Sequence, residues 1–176
     1  MPITPDSKDW TWVLERRCPE CGFDAPAMEL ADVPSLIRDN AARWRDVLAR
    51  PSGLRDRPSD DRWSPLEYAC HVRDVFRLYH ERLRLMLDQD DPSYPNWDQD
   101  VTAVEDRYNE QDPRQVAREL EAAAAGLADA FASVDGDEWR RTGTRSDGAR
   151  FTVDTFARYM VHDPVHHLHD VGRGPT

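Results

Sequence analysis

Apolar residues recur at three- and four-residue spacings in four separate stretches, and each stretch is bounded by helix-start or helix-stop chemistry. The first predicts a helix over 33–49. Pro34 sits in its first turn, Leu36, Ala41, Trp44, Val47 and Leu48 form its stripe, and Pro51-Ser52-Gly53 ends it. The second opens on Ser64-Pro65-Leu66-Glu67, a capping box with proline at the first helical position, and runs to about residue 88. Tyr68, His71, Val72, Val75, Tyr79, Leu83 and Met86 share its apolar face, whereas His80 lies off it. The third begins at Asp112-Pro113 and runs to about 134 on Val116, Leu120, Ala123, Ala124, Leu127, Phe131 and Val134. The fourth starts near Thr152 or Asp154, runs to about 171, and stops at Gly172.

Strand signals are weak throughout, so the pattern predicts an all-α, four-helix bundle. Residues 90–111 form a long acidic link between the second and third helices, with room for a short helix over 101–108. A link of that length permits a crossover to a non-adjacent position in the bundle. Tyr94, Trp97 and Tyr108 give it apolar weight with which to pack across the bundle. Residues 1–31 read as an irregular arm, and 32–176 as the bundle. Trp10, Trp12 and Phe23 mark the arm as packed onto the body.

Composition narrows the function. At 176 residues, the chain fits one domain with a single core. A net charge of −11 argues against nucleic acid or an anionic membrane as the main partner, because both reward a basic face. No apolar run reaches the roughly 20 residues of a membrane-spanning helix, and residues 1–12 contain no signal-peptide core. The expectation is a cytoplasmic protein. Its three cysteines, Cys18, Cys21 and Cys70, are an odd number and do not make a secreted disulfide framework.

Candidate chemistry is concentrated in the fourth helix. Four of the six histidines fall within His162-Asp163-Pro164-Val165-His166-His167-Leu168-His169. His162 and His166 are one turn apart and point the same way. If the second and fourth helices pack with these ends together, His71 joins them and three imidazoles converge. A buried imidazole without a partner costs about 1–3 kcal/mol. A divalent metal removes that cost when the rings are neutral donors, and three nitrogens suit zinc, nickel, copper or iron(II). His169 shares the face of His162 and His166 and is a rival ligand. His167 points about 100° away from His166. Pro164 falls between the paired histidines, where it removes a backbone hydrogen bond.

Trp63-Ser64-Pro65-Leu66-Glu67-Tyr68-Ala69-Cys70-His71-Val72-Arg73-Asp74-Val75 resembles the second-helix motif of the DinB-like metalloprotein superfamily, and His162-Asp163-Pro164-Val165-His166-His167 resembles its last-helix motif. The resemblance covers residues 33–172. It implies a four-helix bundle holding a divalent metal, zinc, nickel or iron, on His71, His162 and His166. Pro164 departs from the usual pattern. Some relatives transfer low-molecular-weight thiols, including mycothiol-dependent maleylpyruvate isomerase and the bacillithiol transferases. The resemblance therefore implies a metal-dependent thiol transferase acting on a small molecule, with a mycothiol-type thiol as co-substrate. Helical relatives of this type often pair through helix faces, which admits a homodimer.

Cys18-Pro19-Glu20-Cys21-Gly22 looks like half of a zinc knuckle. The other half of a second metal site could come from His167, His169 or an acidic side chain if the arm folds back on the last helix. A reduced surface pair and a redox-active pair are the alternatives. Three protein ligands leave coordination positions for exchange, so the main site suits a thiol transferase or a hydrolase. A non-catalytic module stapled by its metal is the contrasting class. Glu67, Asp74, Asp163 and Asp170 are candidates for orienting imidazoles or moving protons.

Overall fold

A computed structural model of the chain describes residues 3–4 and 9–172. Parts of the expected arm (1–2 and 5–8) and the end of the expected bundle domain (173–176) lie outside the described residues. Among the described residues, five α-helices carry the structure: α1 (Val33–Leu48), α2 (Pro65–Asp88), α3 (Gln99–Glu105), α4 (Pro113–Ala132) and α5 (Val153–Asp170). The four long helices form the bundle. α4 packs on both α1 and α2, and α5 closes the opposite side against the same two helices.

The helix starts follow the local chemistry. Ser64 Oγ accepts from the Glu67 amide, and the Glu67 carboxylate accepts from the Ser64 amide at 2.9 Å, completing the capping box of α2. Asp112 and Thr152 cap α4 and α5 by accepting from Gln115 and Thr155 amides. α5 ends where Gly172 adopts φ +75°, a conformation that side chains disfavour. α5 runs unbroken through Pro164. The buried stripe of α1 uses Ile37 rather than Leu36, which is only half-buried. Trp44, Phe76, Tyr108, Phe131, Phe156 and Met160 fill the centre of the core.

Two expectations change. The chain is not all-α, because three short strands form one sheet: β1 (Ser93–Tyr94), β2 (Thr142–Arg145) and β3 (Arg150–Thr152). β2 and β3 are antiparallel around a turn at Asp147-Gly148, where Gly148 has φ +94°, and β1 pairs with β2 in parallel. Strands of two to four residues are too short to produce a readable alternation. Gly143 lets β2 approach α2, since a Cβ there would lie 2.8 Å from Met86 Cγ and 3.0 Å from a Tyr94 ring carbon. The long link also joins neighbouring helices, because α2 and α4 pack on each other. It carries β1, α3 and a 3-10 turn at Tyr108–Glu110.

Tyr108 is fully buried and its hydroxyl donates to Asp74 at 2.6 Å. Asp74 also pairs with Arg73, and Glu67 with the guanidinium of Arg57. These two acids therefore secure the fold and do not orient histidines. Burial opposes ionisation of Glu67, but Arg57 and the Ser64 donors outweigh it and hold its carboxyl below its usual value. Such a carboxylate adds stability above its unfolded pKa and loses that contribution as pH falls through the lower, folded value. Glu67→Gln should cost about 2 kcal/mol of unfolding free energy at neutral pH. In urea titrations the gap from wild type should close as pH drops below 4.5; a gap independent of pH would contradict this account.

Candidate metal centres

One helix supplies the chemistry to two sites. α5 carries two i, i+4 pairs offset by a single residue, His162/His166 and Asp163/His167. One residue turns a helix by about 100°, so the two pairs face different surroundings.

The Asp163/His167 edge faces α2. His71 Nε2 lies 3.2 Å from Asp163 Oδ1, and His167 Nε2 lies 3.6 Å from the same oxygen. These three donors are close enough to share one ion. The His71 ring is buried between Trp63, with centroids 5.2 Å apart, and Trp97, which stacks on it at 5.3 Å with planes 4° apart. Trp97 belongs to the link between α2 and α4, so the link clamps the ring. Tyr68 packs on His167 with centroids 4.7 Å apart.

Asp170 completes this group. Its Oδ2 lies 3.0 Å from His167 Nδ1. With a proton on Nδ1 donated to Asp170, His167 Nε2 directs a lone pair toward the Asp163 carboxylate. A lone pair and an anionic oxygen 3.6 Å apart repel unless a proton or cation stands between them. The donor set thus fits a divalent metal, and a two-histidine, one-carboxylate set leaves coordination positions open. Burial opposes ionisation of Asp163, but facing His71 and His167 outweigh it and hold the carboxyl well below the carboxylate range. Burial likewise opposes the charge on Asp170, and the hydrogen bond from His167 more than compensates.

The His162/His166 edge faces the arm. There the two rings meet Cys18 and Cys21, and all four residues are buried. Cys18 Sγ is 3.6 Å from His166 Nδ1. The cysteines sit in a tight turn: the Cys18 amide donates to Phe23 O and the Gly22 amide to Cys18 O, both at 2.9 Å, with Gly22 at φ +77°. Burial depresses His162 to about 4 and lowers His166 as well, keeping both rings neutral. Burial, with the neighbouring Cys18, pushes the Cys21 thiol up to about 12.

The donors are thus divided differently from the sequence expectation. His71 meets Asp163 and His167, not His162 and His166. The cysteines meet His162 and His166, not His167 and His169, and His169 is exposed. The arm does fold back on the last helix. The sequence places Asp163 among the groups that orient imidazoles, whereas its i, i+4 relation to His167 is the signal that marks it as a candidate ligand.

Both donor groups border a cavity of about 400 Å³. Trp10, Trp63, Tyr68 and Tyr159 give it aromatic walls, and Glu20 and Arg62 stand among its polar groups. No helix among the described residues is long and apolar enough to cross a membrane.

No curated protein matches the chain in sequence. Among solved structures, YfiT from Bacillus subtilis matches with a TM-score of 0.73 at 15% identity, over 82% of this chain and 85% of that one. YfiT is described as a probable metal-dependent hydrolase with an unusual four-helix bundle topology. Residues 36–171 match the family model of the DinB superfamily, which leaves the cysteine arm outside the match. The chain is a member of the DinB superfamily.

Proposed function

We propose that this chain is a metal-dependent enzyme that hydrolyses a small molecule, with His71, Asp163 and His167 as the metal ligands. The observation that carries the reading is the convergence of two imidazole nitrogens on one carboxylate oxygen, 3.2 and 3.6 Å away, at the wall of a 400 Å³ cavity. A divalent cation held there supplies Lewis acidity, which acidifies water and polarises a substrate carbonyl or phosphoryl oxygen. Kinship with YfiT in fold supports hydrolysis without fixing it.

The chain's own residues do the rest. Asp170 holds His167 in the tautomer whose Nε2 lone pair turns toward Asp163. Trp63 and Trp97 fix the plane of His71 and keep water from that ring. Glu20, half-exposed on the cavity wall, is placed to accept a proton from water entering the cavity. Among the described residues, Glu20, Asp61, Asp100, Asp163 and Asp170 line the cavity against one guanidinium, that of Arg62, so neutral or cationic substrates suit it better than polyanions.

Thiol transfer, implied by the resemblance to thiol-transferring relatives, would draw on the same three donors. A carboxylate ligand makes the set harder than three imidazoles, and a harder set favours oxygen over sulfur as the exchangeable partner. The deciding assay offers metal-loaded protein small esters, amides and phosphoesters alongside mycothiol-type and glutathione donors. Hydrolysis that is absent from the metal-free protein and lost in His71→Ala is the expected result. Turnover only with thiol donors would replace hydrolysis by transfer, and equal turnover without metal would end the reading.

Asp170→Asn tests the positioning role separately. The variant should keep its helical circular dichroism and bind metal at the open site about 10–100-fold more weakly in chelator competition. Unchanged affinity would remove Asp170 from the site.

A further inference from the structure

We propose that Cys18, Cys21, His162 and His166 form a second, closed centre that takes one zinc-class cation and rivets the arm to α5. The four donors come from segments as much as 148 residues apart, yet they converge in the core. Around a tetrahedral zinc, with bonds of about 2.3 Å to sulfur and 2.0–2.1 Å to nitrogen, a sulfur and a nitrogen ligand lie about 3.5–3.6 Å apart. Cys18 Sγ and His166 Nδ1 are 3.6 Å apart.

A second observation is independent of that distance. His162 Nε2 is buried and has no hydrogen-bond partner. His162 also belongs to the group that faces the two thiols, and a buried imidazole with an orphaned nitrogen is a cost without an ion and a ligand with one. Binding balances in charge: the dication displaces one proton from each thiol, and two thiolates with two neutral imidazoles leave the buried centre uncharged. Two sulfurs and two nitrogens fill a tetrahedron, so this centre has no position for substrate and its role is structural.

The rivet shapes the open site. Glu20 lies between the two cysteines and Trp10 packs on both His162 and His166, with ring centroids 5.5 and 4.9 Å away. Both residues line the cavity. Holding the 162/166 edge of α5 also fixes the rotation at which its 163/167 edge meets His71. This consequence for the cavity rests on the function proposed above, whereas the centre itself does not.

The test uses the full, reduced chain, stripped with chelator and reloaded with cobalt(II) or zinc. Native mass spectrometry should count two ions per chain, and the cobalt form should show the near-ultraviolet thiolate-to-cobalt charge-transfer band. The Cys18→Ser, Cys21→Ser double variant should lose the band and one ion while keeping the other. His71→Ala with His167→Ala should lose one ion and keep the band, so failure of the open site reads differently from failure of the closed one. If the cysteine variant does not fold, alkylation of wild type decides. Cys18 and Cys21 react only as the arm opens, so zinc loading should slow their alkylation and chelation should restore the faster rate, while Cys70, held in the core against Tyr108 and Gln111, keeps one slow rate in both states. No charge-transfer band in wild type, labelling indifferent to zinc, or a Cys18–Cys21 disulfide that forms equally with and without metal would each overturn the proposal.

Discussion

The rotation of α5 about its own axis is the constraint on which both donor groups depend. A helix advances about 100° per residue, so two pairs offset by one residue cannot face the same neighbour. His162 and His166 turn to the arm, and Asp163 and His167 turn to α2. Any rolling of α5 would degrade both groups together. Much of the remaining structure holds α5 at one angle. Arg158, on the same helix, donates to the carbonyl oxygens of Ala25, Pro26 and Met28, tying the arm to the bundle one turn below His162. Phe156 and Met160 are fully buried in the core, and Tyr79 packs on Phe156 with ring centroids 4.5 Å apart.

The opposing side is fixed by α2. Its capping box and the Arg57 pair set where the helix begins, and His71 falls in the second turn from that point. The aromatic residues around His71 come from three separate places: Trp63 before α2, Trp97 in the link, and His167 on α5. A ring packed on several sides has few rotamers open to it, so the nitrogen facing Asp163 is set in advance of any ligand. Asp163 meets the polar cost of burying the His71 ring at Nε2, while the buried Nδ1 has no hydrogen-bond partner among the described residues.

The four long helices were legible because each combined a 3.6-residue stripe with a start or stop signal, as at Ser64-Pro65 and Gly172. The clustering of possible metal donors on α5 was legible from histidine spacing, and the packing of the arm from Trp10, Trp12 and Phe23. The partition of donors was not. Periodicity places His162 with His166 but carries no information on which neighbour that edge meets, and a choice between arm and α2 is made by tertiary packing. Asp163 was obscured by its residue type, since a helical aspartate is usually solvated. The sheet escaped because its strands are shorter than one alternation cycle can establish, although the Asp147-Gly148 dipeptide is itself a hairpin-turn signal.

The interleaving on α5 has an evolutionary corollary. A substitution that keeps a donor atom, such as an imidazole exchanged for a carboxylate, would touch one pair and leave the other in place. Insertion or deletion of one residue between positions 162 and 167 is a different event. It would swing every following donor by a quarter turn or more and dismantle two centres at a stroke. The spacing of this segment is therefore more tightly constrained than that of the loops that bracket α5.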